Sequence, residues 1–259
     1  QLIVADAVAQ VGGHAVSTDG FADGHNGGRQ HRRNYRESLD CAVALQELQS
    51  MGVSNILTFD AHDPRVQNAV PLMGLDNIIP SYQVLKAMFK NLSDFRPDKD
   101  HFMIISPDEG AINRNMYYAS VLGVNLGMFY KRRDYSTIID GRNPIVAHEF
   151  LGDNIEGKDI IIIDDMISSG GSMLDTAKQL KAMKARRVYI CCTFGLFTDG
   201  LKNFDAAYEH GDFDKVITTN LTYLPPEIYT RPYFVEADMS KFIASLIDFM
   251  NHDASLSNV

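Results

Sequence analysis

The sequence is short of several features that would assign its class at once. Its 259 residues include no tryptophan and only three cysteines, Cys41, Cys191 and Cys192. Their positions match neither a zinc-ligand spacing nor a disulfide framework. Because two of them lie in the apolar run "RVYICCTF", we interpret them as buried apolar residues. The apolar runs span only a few residues, so we expect no membrane-spanning segment.

Basic residues are also scarce relative to acidic ones, with 24 Lys and Arg against 33 Asp and Glu and a formal net charge of −9. Proteins that bind nucleic acid through its phosphates are usually basic, so we expect no nucleic-acid partner, while a local basic pocket stays compatible with this balance. No secretory signal pattern opens the chain at Gln1. With 45% apolar residues, the sequence predicts a cytoplasmic globular protein with an ordinary core.

Helical and strand patterns alternate along most of the chain. Helical spacing of apolar residues is found in "SLDCAVALQELQSMG", "YQVLKAMFKNL", "NRNMYYASVLG", "SMLDTAKQLKAMKA" and "MSKFIASLIDFM". Strands are predicted at "VSNILTFD", "HFMIIS", "VNLGMFY", "KDIIIIDD", "RRVYICCTF", "KVITTN" and "PYFVEA". This order predicts an α/β fold with mainly parallel sheets flanked by helices.

The polar, proline-containing stretch "SDFRPDKD" is the best candidate for a linker. On both sides of it a strand ends in acidic residues, "TFDAHD" and "IISPDEG", which suggests two related α/β domains. We predict domains at residues 1–95 and 96–237, with a final helix at 238–251 packing back on the first because its apolar face needs cover. That face carries Phe242, Ile243, Leu246, Phe249 and Met250.

The stretch "DIIIIDDMISSGGSMLD", residues 159–175, carries the strongest chemical signal. The isoleucine run predicts a fully buried central strand, and ligands of open α/β sheets bind at the carboxyl ends of strands. Backbone N–H groups of Ser168 to Ser172 can converge on a phosphate where the next helix begins. Asp164 and Asp165 point to opposite faces, so one could accept hydrogen bonds from the vicinal hydroxyls of a sugar, while the other could hold a metal or orient the loop. The pattern fits a ribose 5-phosphate, and the alternative is a plain strand–turn–helix with an acidic cap.

These residues resemble the phosphoribosyl-binding signature of the type I phosphoribosyltransferase fold. Further segments occur in the order seen in the ribose-phosphate pyrophosphokinase family: "RQHRR" (29–33), "TFDAHDPRVQNAVP" (58–71), "ISPDEGA" (105–111) and "YKRRDYS" (130–136). The resemblance covers about Arg29 to Asn251. It implies two phosphoribosyltransferase-like domains, assembly into dimers or hexamers, and an enzyme. That enzyme transfers the diphosphoryl group of Mg-ATP to the 1-hydroxyl of ribose 5-phosphate, giving 5-phosphoribosyl 1-diphosphate (PRPP) and AMP.

The resemblance also implies roles for matching residues. Catalytic cations on a mobile loop over the triphosphate would be Lys131 and Arg133, with Arg132 beside them. Ribose 5-phosphate would be bound by Asp164, Asp165, Ser168, Ser169, Gly170, Gly171 and Ser172. ATP would be bound by Arg29, Gln30, Phe21 and Asp23. Mg²⁺ would be bound by His62, with Asp60 supporting it, and Asp108 would bind a second Mg²⁺ or a ribose hydroxyl.

Chemistry alone leaves alternatives open at several of these residues. A histidine that follows a strand, such as His62, is ordinarily structural. Asp108 could equally form an Asx turn after its strand. The charges of "YKRRDYS" would be a solvated surface cluster in most proteins.

Three features depart from the family pattern. Only Asn26 to Gly28 separate "FADGH" (21–25) from "RQHRR", where the family has a substantial α/β segment, so we expect the N-terminal domain to be incomplete. Ser168 and Ser169 stand where the signature usually reads Asp-Thr, which removes one carboxylate near the ribose. "NYRESLD" does not reproduce the family's regulatory-phosphate stretch, so allosteric control does not carry over.

Two other functions stay open at this point. A phosphoribosyltransferase that consumes PRPP shares the signature loop, and only "RQ", "DAH" and "KRR" argue against it. A non-catalytic, regulatory member of the family would bind nucleotide or a partner enzyme without turnover. Ribose-dependent formation of AMP separates the synthetase from both.

Overall fold

The computed structural model describes residues 39–133 and 145–252, which form six α-helices and nine β-strands. The helices are α1 (Asp40–Ser50), α2 (Ser81–Asn91), α3 (Ile112–Leu122), α4 (Gly171–Ala182), α5 (Lys202–His210) and α6 (Ser240–Asn251). The strands are β1 (Asn55–Phe59), β2 (Gly74–Ile78), β3 (Phe102–Ser106), β4 (Asn125–Arg133), β5 (Ile145–Leu151), β6 (Asp159–Ile167), β7 (Arg187–Gly195), β8 (Lys215–Thr219) and β9 (Phe234–Ala237). The predicted α/β class is confirmed.

The chain divides into two compact units. Within the described residues, one unit comprises residues 39–80 and 239–252, and the other comprises those between Ser81 and Asp238. The division therefore lies before α2 and not in the polar stretch 93–100, where the sequence predicted the linker and the boundary at residue 95.

The apolar face of α2 explains the position of this division. Val84, Leu85, Ala87 and Met88 of this helix are buried, and the Met88 sulfur lies 3.8 Å from the Cys191 sulfur of β7. Phe95, just after the helix, packs edge-on against Phe102 at a centroid distance of 5.4 Å. Because α2 and the segment after it pack on the second sheet, they belong to the second unit.

The second unit is built on a seven-stranded sheet in the order β5-β4-β3-β6-β7-β8-β9. Its strand pairs are parallel, apart from the antiparallel pair of β4 and β5. Ile160, Ile161 and Ile162 of β6 are 0% exposed at the centre of the sheet. An apolar strand of this kind is stable only when both faces are covered, as the sequence predicted for this run.

The first unit contains a two-stranded parallel sheet, in which β1 pairs with β2 from Asn55–Gly74 to Phe59–Ile78. Cys41 and Leu45 of α1 are buried in its apolar core. The ring of Phe242 in α6 lies 6.3 Å from that of Phe59. The final helix thus contacts β1 through the apolar face identified in the sequence.

The parallel strands β3, β6, β7 and β8 direct their carboxyl ends to one edge of the second sheet. The predicted ribose 5-phosphate residues, Asp164, Asp165 and the loop from Ser168 to Ser172, lie at that edge. Among the residues described, no helix is long and apolar enough to cross a bilayer.

Candidate functional site

The two aspartates of the signature, Asp164 and Asp165, lie near the carboxyl end of strand β6. The strand continues beyond them to Ile167, pairing Asp164 with Cys192 and Ile167 with Gly195 of β7. The side chain of Asp164 is 23% exposed, whereas Asp165 is 4% exposed. Because successive residues of a strand face opposite sides, these carboxylates occupy different environments, and Asp164 is the one that a ligand in solution reaches more easily.

Negative charges crowd the Asp164 carboxylate. Burial raises the pKa of Asp164 well above its usual range, the neighbouring Asp165 carboxylate raises it further, and Asp108 adds a smaller effect in the same direction. The Arg114 guanidinium, whose Nη1 lies 3.7 Å from Asp164 Oδ1, lowers this pKa. The backbone N–H of Asp165 also donates to Asp164 Oδ1 at 2.9 Å.

The loop after β6 leads directly into helix α4, and the space beside the first residue of that helix is open. Gly170 is the residue before α4 and has a left-handed conformation with φ of +85°, while Ser168, Gly171 and Ser172 are exposed. The first N–H groups of any helix have no acceptor within the helix, and Gly170 contributes no capping side chain. A Cβ added at Gly171 would meet nothing closer than Ser169 Oγ at 4.0 Å. The geometry suits an anion at the start of α4.

The loop is fixed from behind by the segment that follows β7. The carbonyl of Ile167 accepts N–H groups from Leu196 at 2.9 Å and Phe197 at 3.4 Å. The carbonyl of Ser168 accepts from Thr198 at 3.0 Å. The loop is therefore preorganised by backbone hydrogen bonds to the neighbouring strand connection.

Asp108 adopts the Asx turn that the sequence left open as an alternative. Its Oδ1 accepts N–H groups from Gly110 at 3.0 Å and Ala111 at 3.2 Å, immediately before α3. Ser106 donates its hydroxyl to the Asp108 carbonyl at 2.7 Å. This structural bonding holds the carboxylate in place beyond the end of β3, where its charge acts on Asp164.

Sequence reasoning missed Arg114 and Asn115 of α3. Asn115 is fully buried, and its amide group donates to the carbonyls of Ala111 and Ile163, both at 2.8 Å. The signal for it was available, since Asn115 occupies the helical position of the core-facing residues Tyr118 and Ala119. A polar residue at such a position indicates a specific buried hydrogen bond.

The first unit holds the other predicted metal ligand. Asp60 follows β1 with φ of +45° and is 3% exposed, while His62 is exposed. Asp63 is buried and accepts the N–H of Arg65 at 2.9 Å, at the start of a 3₁₀ segment. A left-handed residue other than glycine is strained and is frequent at functional sites, which is consistent with a role for the Asp60–His62 turn.

The remaining predicted residues are only partly described. Lys131, Arg132 and Arg133 are the last residues of β4, where their backbone pairs with β5 and the register shifts between Arg132 and Arg133. The sequence placed them in a loop, but the long-range pairing with β5 makes them strand residues. Phe21, Asp23, Arg29 and Gln30 lie outside the described residues.

The carboxylates of the second unit fit a magnesium ion. Within residues 39–133 and 145–252, no three His, Cys, Asp or Glu side chains gather to hold a metal by themselves. Mg²⁺ commonly takes one or two carboxylates and completes its oxygen shell with substrate phosphates and water. A cation beside Asp108 would also relieve the excess negative charge at Asp164. The imidazole of His62 is a less usual magnesium ligand.

Comparison with known proteins agrees with this geometry. The sequence model of the phosphoribosyl transferase domain family matches residues 75–213 of this chain. A ribose-phosphate pyrophosphokinase of Shewanella oneidensis is 30% identical over 234 residues, which is 88% of this chain and 68% of the relative. The corresponding protein of Vibrio cholerae serotype O1 is 29% identical over the same shares of both chains.

Among solved structures, the phosphoribosylpyrophosphate synthetase of Mycobacterium smegmatis superposes with a TM-score of 0.73. The match covers 88% of this chain and 70% of that one at 20% identity, so it supports the fold alone. The sequence relatives, the domain match and the fold agree with one another. The chain therefore belongs to the ribose-phosphate pyrophosphokinase family, with a phosphoribosyltransferase fold.

Proposed function

We propose that the chain is a ribose-phosphate diphosphokinase, which transfers the diphosphoryl group of Mg-ATP to the 1-hydroxyl of ribose 5-phosphate. The products are PRPP and AMP. The observation that carries the proposal is the sequence of features at the end of β6: two carboxylates, then a glycine loop, then an exposed helix start. The names of the curated relatives support this substrate class.

The 5-phosphate would lie at the start of α4, against the loop from Ser168 to Ser172. The backbone N–H groups there, together with the serine hydroxyls, are suitable donors for phosphate oxygens. The ribose would then extend toward β6, where the more exposed Asp164 would accept hydrogen bonds from its hydroxyls. The family resemblance also assigns Asp165 to the ribose, although its side chain is almost fully buried. A carboxylate that accepts from two neighbouring hydroxyls binds a sugar in a defined orientation.

The nucleotide side of the site is assigned from the family resemblance. Arg29 and Gln30 would bind ATP, and Phe21 would stack on the adenine while Asp23 accepts from its amino group. In the family the last two come from a neighbouring subunit, so the proposal includes a homo-oligomer, as a dimer or a hexamer.

Transfer requires no protein nucleophile. The ribose 1-hydroxyl oxygen bonds to the β-phosphorus, the bond from that phosphorus to the bridging oxygen of AMP breaks, and the hydroxyl proton leaves to solvent. Lys131 and Arg133 would stabilise the charge on the migrating diphosphate, because catalysis of this kind depends on positioning and charge neutralisation. Mg²⁺ would be held by His62, and a second Mg²⁺ by Asp108; when bound, magnesium would supply neutralisation of the triphosphate charge.

The test is formation of AMP from ATP, with and without ribose 5-phosphate, in Mg²⁺ buffer that contains phosphate. Ribose-dependent AMP is the expected result. Binding of ATP without AMP formation would instead favour a regulatory protein. Release of diphosphate from PRPP that depends on a nucleobase would identify a phosphoribosyltransferase.

A loop variant tests where the phosphate binds. Gly171→Ala adds a methyl group in open space, so the protein should fold normally while the methyl group competes with the phosphate. We expect a higher KM for ribose 5-phosphate and an unchanged KM for ATP. The matched control is Lys178→Ala on the exposed side of the same helix, which should change neither. An unchanged KM for ribose 5-phosphate in Gly171→Ala would contradict the phosphate position.

A further inference from the structure

Helix α3 is attached to β6 one residue before Asp164. The Asn115 amide group donates to the carbonyl of Ile163 at 2.8 Å, and Asn115 is fully buried. Two hydrogen bonds to carbonyls fix the amide orientation, since only its NH₂ end can donate to both. This attachment fixes the distance between α3 and the end of β6, and with it the position of the neighbouring Arg114.

The side chain of Arg114 is largely buried and places its guanidinium group beside the carboxylate of Asp164. Its side chain is 9% exposed, that of Asp164 is 23% exposed, and Nη1 lies 3.7 Å from Oδ1. This separation is that of an ion pair and exceeds a hydrogen-bond length. Ion pairs with low exposure are poorly screened by solvent, so the charge of Arg114 acts on Asp164 and lowers its pKa, although burial and Asp165 have larger effects in the opposite direction.

The other charges near Asp164 act in the opposite sense. The carboxylates of Asp165 and Asp108 both disfavour its ionised form, and burial disfavours that form most of all. An ionised carboxylate accepts hydrogen bonds that are roughly twice as strong as those of a neutral group. A protonated Asp164 would therefore be a weaker acceptor for a hydroxyl and would present a donor in place of one lone pair.

We propose that Arg114 is a positioning residue for sugar recognition, which holds the Asp164 carboxylate in the orientation that accepts a hydrogen bond from a hydroxyl of ribose 5-phosphate. This inference rests on the proposed function. Arg114 acts through Asp164 and needs no contact with the substrate. In this respect it differs from the loop residues Ser168 to Ser172, which would bind the phosphate directly.

The experiment compares Arg114→Met, Arg114→Lys, Asp164→Asn and the double variant Arg114→Met/Asp164→Asn in the AMP assay. Methionine has a similar length and suits a buried position, so it removes the charge with little change in packing. We expect Arg114→Met to raise the KM for ribose 5-phosphate about tenfold and to leave the KM for ATP within about twofold. Arg114→Lys should raise this KM less than Arg114→Met does, because lysine keeps the positive charge but lacks the planar, forked guanidinium group.

The double variant tests whether Arg114 acts through Asp164. If it does, Arg114→Met should have no further effect once Asp164 is asparagine, because neighbours that act together are not additive. A double variant whose KM change equals the product of the two single changes would overturn the inference. So would a Lys variant that behaves like the Met variant.

Arg231→Met is the matched control. Arg231 pairs with Asp205 at 2.9 Å in the same unit, although Arg231 is more exposed than Arg114, at 30% against 9%. It precedes β9, at the opposite end of the parallel strands from the site. It should change the midpoint of urea unfolding without changing the KM for ribose 5-phosphate. A wild-type chain that forms no ribose-dependent AMP would overturn the proposed function and this inference together. Normal turnover with an unchanged KM in Arg114→Met would overturn the inference alone.

Discussion

Replacement of Gly170 by alanine should destabilise the second unit strongly, although it adds only one methyl group. Gly170 has φ of +85°, and an added Cβ would lie 2.3 Å from both Cε2 and Cζ of Phe204. The left-handed conformation costs a residue with a Cβ about 1–2 kcal/mol. Overpacking of a core typically costs about 1–3 kcal/mol. We therefore expect a loss of roughly 2–5 kcal/mol in the free energy of unfolding.

Phe204 has little room to move away from the added methyl group. Its side chain is 0% exposed, and its ring packs edge-on against Phe197 at 5.2 Å and against Phe213 at 6.2 Å. A shift of the ring would disturb both neighbours, because core side chains are closely packed. The overlap must then be relieved by movement of the loop itself, which would also raise the KM for ribose 5-phosphate.

Urea unfolding followed by circular dichroism is the appropriate assay. Gly171→Ala is the matched control, because the same methyl group one residue later meets open space. The double variant Gly170→Ala/Phe204→Leu removes the two ring atoms that overlap. It should be more stable than the sum of the single changes predicts, by at least about 1 kcal/mol. Equal stability of Gly170→Ala and Gly171→Ala would refute the reasoning, and no recovery in the double variant would refute its steric part.

Three further predictions concern charged groups. Asp159→Asn should lower the free energy of unfolding by about 2–4 kcal/mol in a urea titration, because Asp159 is fully buried and paired with Arg186 and Arg187. The control is Asp94→Asn, which removes an exposed partner of Arg187 and should cost below about 1 kcal/mol. Equal losses in the two variants would contradict the prediction. Burial opposes ionisation of Asp159, but hydrogen bonds from both arginines outweigh it and lower its pKa. Its contribution is therefore present above the unfolded pKa of about 3.9 and lost as the pH falls below that value, so Asp159→Asn should show a shallower loss of stability in acid than wild type. Lys131→Ala should lower kcat much more than it weakens binding of ribose 5-phosphate in steady-state kinetics, and equal losses would contradict the assigned role.

The fold could be predicted where one strand or helix carries its own pattern. The run Ile160–Ile163 predicted a central strand because only a strand covered on both faces buries four consecutive isoleucines. By contrast, β2 (Gly74–Ile78) was missed, since "GLDNI" contains residues that are unfavourable in strands. It is held by pairing with β1 and by the Asn77 side chain, which accepts the N–H of Ala61 at 2.9 Å. Such contacts between distant segments leave no periodic signal.

The same limit applies to β5 and to the basic residues opposite it. The segment "YKRRDYS" has the composition of a solvated loop, and composition alone gave no reason to place Lys131 to Arg133 in a strand. Their partners in β5, from Ile145 to His148, determine that outcome. Strand pairing selects a conformation that local propensity does not favour.

For the candidate site, the sequence predicted the loop after β6 but not how the residues of that loop differ. "SSGGS" contains two adjacent glycines that a pattern treats as equivalent. In the structure Gly170 is required by its own φ and by Phe204 behind it, whereas Gly171 faces open space. The first glycine is therefore needed for folding. Under the proposed function the second leaves room for the phosphate, and only the second can report on phosphate binding without a loss of stability. Arg114 extends the same point, because its contact with Asp164 joins a helix to a strand far along the chain. A motif identifies the groups that could bind a substrate, while the charged groups that act on them are brought close by the packing around them.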